Sequence, residues 1–309
     1  MTPDEILLVG APVDSGKARR GCLMGPDAYR TAGIAEALGD LGFTVRDLGN
    51  VAPADADAAA DMPSHVHAPA ETAGWTAALA EAGERAAADG LPIFMGGDHS
   101  LSLGSIAGVA NHAAAMNRPQ FILWLDAHSD IHTPQTTGSG NLHGTPIGYA
   151  TGRAGFHGFP EVANPVPEAN ICMIGLRSVD GAERAALADT AIRTHDMREI
   201  DERGIARPLA EFLSEVGKAG GALHVSLDVD FLDPSFAPAV GTTVPGGATM
   251  REAHLVMEMV CDSGLLTSLD LVELNPFLDD RSRTAQVMVD LAASALGRRV
   301  FDRVTRAHN

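Results

Sequence analysis

Three short runs in this chain carry residues able to hold a metal: Asp126-Ala127-His128-Ser129-Asp130, Ser226-Leu227-Asp228-Val229-Asp230 and Gly96-Gly97-Asp98-His99-Ser100. In the first, candidate ligands stand at every second position, directly after the apolar run Phe121-Ile122-Leu123-Trp124-Leu125. Side chains at i, i+2 and i+4 of an extended chain share a face. The spacing therefore predicts that Asp126, His128 and Asp130 converge where a buried strand leaves its sheet. On a helix it would scatter them by roughly 200° per step. Asp228 and Asp230 repeat the pattern after a second apolar segment, and His99 follows a third, Pro92–Met95.

Aspartate is seldom buried unless it is paired or bound to metal. Four carboxylates gathered at strand ends repel one another unless counter-charge is supplied. One divalent ion would leave negative charge in surplus; two nearly balance it. Two ions sharing carboxylates are a known means of activating water at neutral pH and clamping a displacement reaction. Oxygen and imidazole donors without a thiolate suit manganese better than a structural zinc site. Each motif alone has a plainer reading: Asp-x-Asp at a strand end caps a turn or helix, and a histidine after Gly-Gly is a satisfied polar residue. Their coincidence at three strand ends favours the metal.

The elements that must position these groups read as strands alternating with helices. Ile6–Val9, Phe43–Leu48, Pro92–Met95, the run before Asp126, Ile171–Leu176, Ile192–His195, Leu223–Val229 and the stretch 266–274 are strand candidates. Helices are expected over 26–41, 71–89, 101–116, 180–189, 205–218, 250–262 and 282–301. Residues 50–70 read as a long surface connection, with His65 and His67 solvated; 131–144 and 231–248 read as polar, glycine-containing loops. This alternation predicts a parallel α/β sheet covered by helices on both faces, in a single domain spanning 1–309. A closed eight-stranded barrel is the rival topology.

The formal charge of −18 and the lack of a Lys/Arg block speak against nucleic-acid binding. Cys22, Cys172 and Cys261 share no ligand spacing and are expected as buried small residues of a reducing compartment. The sequence opens on Met-Thr-Pro-Asp-Glu, acidic where a signal peptide is basic, and holds no apolar run near the 18 or so residues of a membrane span. A soluble cytoplasmic protein is expected.

Gly-Gly-Asp-His-Ser (96–100), Asp-Ala-His-Ser-Asp (126–130), Ser-Gly-Asn-Leu-His-Gly (139–144) and Ser-Leu-Asp-Val-Asp (226–230) resemble, in order, the motifs of the ureohydrolases. Asp233–Ala239 and Leu271–Pro276 extend the likeness over nearly the whole chain, and the loop before His143 has the arginase form. The resemblance implies a three-layer α/β/α fold around an eight-stranded, mostly parallel sheet, and two manganese ions. His99, Asp126, Asp130 and Asp228 would hold one ion; Asp126, His128, Asp228 and Asp230 would hold the other. The activity implied is hydrolysis of L-arginine to L-ornithine and urea. Glu273 would pair with the guanidinium, His143 would shuttle a proton to the leaving nitrogen, and Asp130 would serve as a catalytic carboxylate besides being a ligand.

Thr137, Ser139 and Asn141 are the expected α-carboxylate donors, with Asp180 and Glu183 facing the α-amino group; Asp180 has the alternative reading of a helix cap. His132 stands where arginases have asparagine and is counted with the substrate contacts. The departure keeps 4-guanidinobutyrate, N-hydroxyarginine and agmatine as alternative substrates. Arg251 and Glu252, with Asp201, match the family's inter-subunit ion pairs and imply a homotrimer or homohexamer. The rivals from other classes are a metal-stabilised, non-catalytic scaffold and a mononuclear zinc amidohydrolase.

Overall fold

The computed structural model describes residues 5–57 and 62–299, with Phe301. Its core is one open sheet of eight strands, all parallel: β1 (Glu5–Ala11), β2 (Thr44–Asn50), β3 (Leu91–Gly96), β4 (Gln120–Leu125), β5 (Ile171–Leu176), β6 (Arg193–Asp196), β7 (Ala222–Asp228) and β8 (Leu266–Val272). Their spatial order is β2-β1-β3-β8-β7-β4-β5-β6. With β2 and β6 at the two edges, the sheet is not a barrel.

Strands buried on both faces read as continuous apolar runs, and β3, β4 and β5 are buried at every position. Alternate residues serve opposite layers. Ile6, Leu8, Leu123, Leu125, Val225 and Leu227 belong to one apolar cluster with α1 (Gly25–Thr31), α2 (Ile34–Gly39), α8 (Ala206–Ala219), α9 (Met250–Ser263) and α10 (Arg283–Ala295). Leu7, Val9, Phe94, Ile122 and Trp124 face the other side, against α3 (Pro69–Asp89), α4 (Leu101–Ala115) and α5 (Pro146–Ala150). This is the expected three-layer arrangement. Two further helices, α6 (Gly181–Ala188) and α7 (Met197–Arg203), flank β6.

The expected helix over 26–41 is in fact two. Gly33, in the left-handed region at φ 84°, separates α1 from α2. The last strand stops at Val272, before Glu273, which itself adopts φ 66°. Glu252 has a task within the chain: with Thr249 it closes a capping box at the start of α9. Cys22 and Cys172 are buried, as expected, whereas Cys261 is only partly so; all three are free thiols. Among the described residues no helix is long and apolar enough to cross a membrane.

Candidate metal and catalytic centre

β3, β8, β7 and β4 are neighbours in the middle of the sheet, and the candidate residues gather beyond their carboxyl ends, where parallel α/β proteins bind ligands. His99 follows β3, Asp126–Asp130 follow β4, Asp228 closes β7 and Glu273 follows β8.

The predicted ligands come together, but not by continuing a strand. β4 ends at Leu125, and Asp130 has a left-handed backbone at φ 48°. The chain turns instead, and two aspartates make that turn in the same way. Asp126 Oδ1 accepts the His128 N–H at 2.7 Å, and Asp228 Oδ1 accepts the Asp230 N–H at 2.7 Å. Each thereby keeps Oδ2 free for the centre. These oxygens lie 3.1 and 3.0 Å from His99 Nδ1, with Asp130 Oδ2 at 3.2 Å. His128 Nδ1 lies 3.3 Å from Asp126 Oδ1 and 3.2 Å from Asp230 Oδ2. Two ligand groups result, His99/Asp126/Asp130 and Asp126/His128/Asp230, and they share Asp126.

The donors fit a cation. His99 and all four aspartates are almost wholly buried. Although three carboxylate oxygens crowd His99 Nδ1, neither that nitrogen nor Asp126 Oδ2 makes a well-formed hydrogen bond. The other ring nitrogen, Nε2, is engaged with Ser226 Oγ at 2.8 Å, and the ring stacks on Trp124 at 4.2 Å. A metal-ligating histidine usually has its other ring nitrogen held by an outer partner, the place Ser226 takes here, which leaves Nδ1 among the carboxylates. Burial, then the charges of neighbouring aspartates, pushes the Asp130, Asp228 and Asp230 carboxyls up. Burial acts in the same direction on Asp126, but the neighbouring His128 and His99 imidazoles prevail and hold its carboxyl low. A divalent cation held among these donors would relieve this crowding.

A third group, His132/Asp180/Glu183, is of another kind. Its polar atoms are already matched. Asp180 Oδ1 caps α6 by accepting the Ala182 and Glu183 N–H groups, and its Oδ2 lies 3.1 Å from His132 Nε2. Glu183 accepts from Ser129 Oγ at 2.7 Å and from the Asp180 N–H at 2.8 Å. Asp180 is thus the helix cap of the alternative reading, while its second oxygen remains on the cleft.

That cleft, of about 220 Å³, is lined by the candidate ligands His99, His128, Asp130, Asp228 and Asp230 together with His132, His143, Asp180, Glu183 and Glu273. Thr137, Ser139 and Asn141 lie outside these walls, on the adjoining loop, where they bond one another. Thr137 Oγ1 is 3.2 Å from Ser139 Oγ and donates to Asn141 O at 3.3 Å, and Ser139 Oγ accepts the Asn141 N–H at 3.2 Å.

Glu273 is more heavily engaged than the sequence suggested. Its Oε1 accepts the His99 N–H at 2.9 Å and lies 2.9 Å from His143 Nδ1. Its Oε2 forms a buried ion pair with Lys17. Burial opposes charge on both partners, yet their mutual attraction wins, holding the Glu273 carboxyl well below its usual range and the Lys17 ammonium above. Lys17 Nζ also lies 3.0 Å from Cys22 Sγ. Three contributors were missed in the sequence: Lys17, Ser226, and Thr242, whose hydroxyl donates to Asp230 Oδ2 at 2.9 Å. Ser226 alone left a signal, as a polar residue on the same strand face as Asp228.

Comparison with known proteins agrees with this geometry. A sequence profile described as the arginase family matches residues 4–297. Arginases of Brucella melitensis and Agrobacterium fabrum are 59% and 57% identical to this chain, covering 96% and 97% of it and 98% and 93% of their own lengths. The crystal structure of arginase from Bacillus subtilis superposes with a TM-score of 0.86 at 36% identity, covering 96% of this chain and 99% of that one. From the buried ligand pair at the strand ends to the length of these matches, the chain belongs to the arginase family of ureohydrolases.

Proposed function

We propose that this enzyme hydrolyses the guanidinium group of L-arginine to L-ornithine and urea with two manganese ions per chain. The observation that carries the reading is the shared carboxylate: buried Asp126 belongs to both ligand groups, one reaching His99 and the other His128. His99, Asp126, Asp130 and Asp228 would hold one ion, and Asp126, His128, Asp228 and Asp230 the other. When bound, such a pair supplies Lewis acidity that turns water into a nucleophile at neutral pH.

The chain's own residues supply the rest. A guanidinium is a poor electrophile, because its charge is spread over three nitrogens, and its amine leaves only after gaining a proton. Glu273, ionised and facing the cleft, provides a negative charge that orients the guanidinium carbon. The same carboxylate holds His143 by Nδ1. The imidazole is thereby oriented to pass a proton through Nε2 to the departing nitrogen. Asp130, unlike Asp126, makes no turn bond with its carboxylate and keeps it for the centre. Asp180 Oδ2 and Glu183 offer negative charge to an α-amino group. His132 stands beside them in place of an amide. Thr137, Ser139 and Asn141 would meet an α-carboxylate at the cleft mouth.

We further propose that residues 1–309 form a single domain, that the enzyme works in the cytoplasm, and that Arg251 and Glu252, with Asp201, join copies into a homotrimer or homohexamer. Light scattering tests that assembly. Turnover of arginine against agmatine and 4-guanidinobutyrate tests the substrate. The expected preference is for arginine, and a preference for agmatine would overturn the carboxylate assignment.

A further inference from the structure

The segment before α3 fastens the loop that carries Thr137, Ser139 and Asn141. His65 Nε2 lies 2.9 Å from the Thr137 carbonyl oxygen. A carbonyl only accepts, so His65 donates. The His67 N–H donates to the Gly140 carbonyl, also at 2.9 Å. Between these two bonds the backbones touch: a Cβ added to Gly140, itself at φ 74°, would fall 2.0 Å from the His65 carbonyl oxygen. Val66, between the two histidines, is buried and anchors the strap. From the other side, the Ala18 N–H donates to Asn141 Oδ1 at 3.2 Å and the His143 N–H to Gly16 O at 3.0 Å. The His143 end of the loop is thus held independently of the Thr137 end.

The geometry points to His65 as a specificity-determining positioning residue. By holding the Thr137 carbonyl, it sets the shape of the 137–141 loop that receives the substrate's α-carboxylate. It takes no part in the chemistry at the metal pair. This inference rests on the carboxylate role proposed above for that loop. Ordering a loop before binding lowers the cost of association, so releasing it weakens only ligands that use it.

The test compares ligands with and without a carboxylate in manganese-loaded wild type, His65→Ala and His65→Gln. In His65→Ala, KM for L-arginine and the inhibition constant of L-ornithine should both rise about tenfold, as expected for one lost hydrogen bond. The kcat should stay within about twofold, and the inhibition constants of agmatine and 1,4-diaminobutane, which lack the carboxylate, should not move. His65→Gln, whose side-chain amide can donate to the same carbonyl, should recover most of the loss. An equal weakening of all four ligands, or no change for arginine and ornithine, overturns the inference. If wild type itself binds ornithine no better than 1,4-diaminobutane, the carboxylate reading fails, and this inference with it.

Discussion

His143 Nδ1 lies 2.9 Å from Glu273 Oε1, and that one bond joins the loop after β4 to the end of β8. His143 lines the same cleft as the candidate metal ligands, with its other ring nitrogen left for a proton transfer. Replacing His143 by alanine should therefore lower kcat by about 10²–10⁴-fold, the usual worth of a general acid. Bound manganese should stay near two per chain. Steady-state kinetics with metal analysis of the same sample checks both; loss of metal would show His143 to be structural.

Lys17 is the second prediction. Its ammonium and the Glu273 carboxylate are 3% and 2% exposed. Removing one member of such a pair strands the other's charge away from water, at a cost of about 3–5 kcal/mol. Lys17→Met should lower unfolding stability by that order, and adding Glu273→Gln should restore part of it. Denaturant titration of wild type, both single variants and the double variant gives the coupling. Additive losses would mean that the two charges do not depend on each other.

The third concerns Ser226, whose hydroxyl engages His99 Nε2 at 2.8 Å. Outer contacts of this kind orient a ligating imidazole, and losing one typically weakens metal binding about 10–100-fold. Ser226→Ala should show that loss in a manganese titration followed by calorimetry, with the fold intact by circular dichroism. Unchanged affinity would mean that stacking on Trp124 alone orients the ring.

How much of this was legible beforehand follows from where each partner sits in the chain. Asp126, His128 and Asp130 are neighbours in sequence, and an apolar run announces the strand that delivers them. Their convergence was readable even though a turn with Asp130 at φ 48°, and not an extended chain, achieves it. The break between α1 and α2 lay open at Gly33, yet glycine alone does not fix a left-handed turn. Lys17 was not legible. It lies 256 residues from Glu273, and only the adjacency of the loops after β1, β3 and β8 joins them. The Gly97 N–H bonds Ala11 O, the Asp98 N–H bonds Val13 O and the Glu273 N–H bonds Gly97 O. His65 is exposed, in keeping with the solvated surface connection the sequence predicts; its bond to a backbone carbonyl 72 residues away leaves no mark in the sequence.

Acid stability gives the fourth prediction. Hydrogen bonds from Ser235, then from the Gly246 and Gly247 N–H groups, hold the Asp233 carboxyl down to about 2. In an unfolded chain it titrates near 3.9. A carboxyl depressed in the folded state stabilises above its unfolded value, and that contribution fades as pH falls through the folded one. The melting temperature of wild type should thus exceed that of Asp233→Asn above about pH 4, and the gap should close toward pH 2. A constant gap across this window would contradict the assignment.

Metal stoichiometry is the most direct test of the central claim that paired pockets, joined through Asp126, carry the chemistry. Metal-stripped protein titrated with manganese should take up two ions per chain, with urea release from arginine rising as they bind. Asp126→Ala should lose both ions and melt lower than loaded wild type. Saturation at a single ion, or a fully loaded protein that frees no urea from any guanidino compound, would contradict the account.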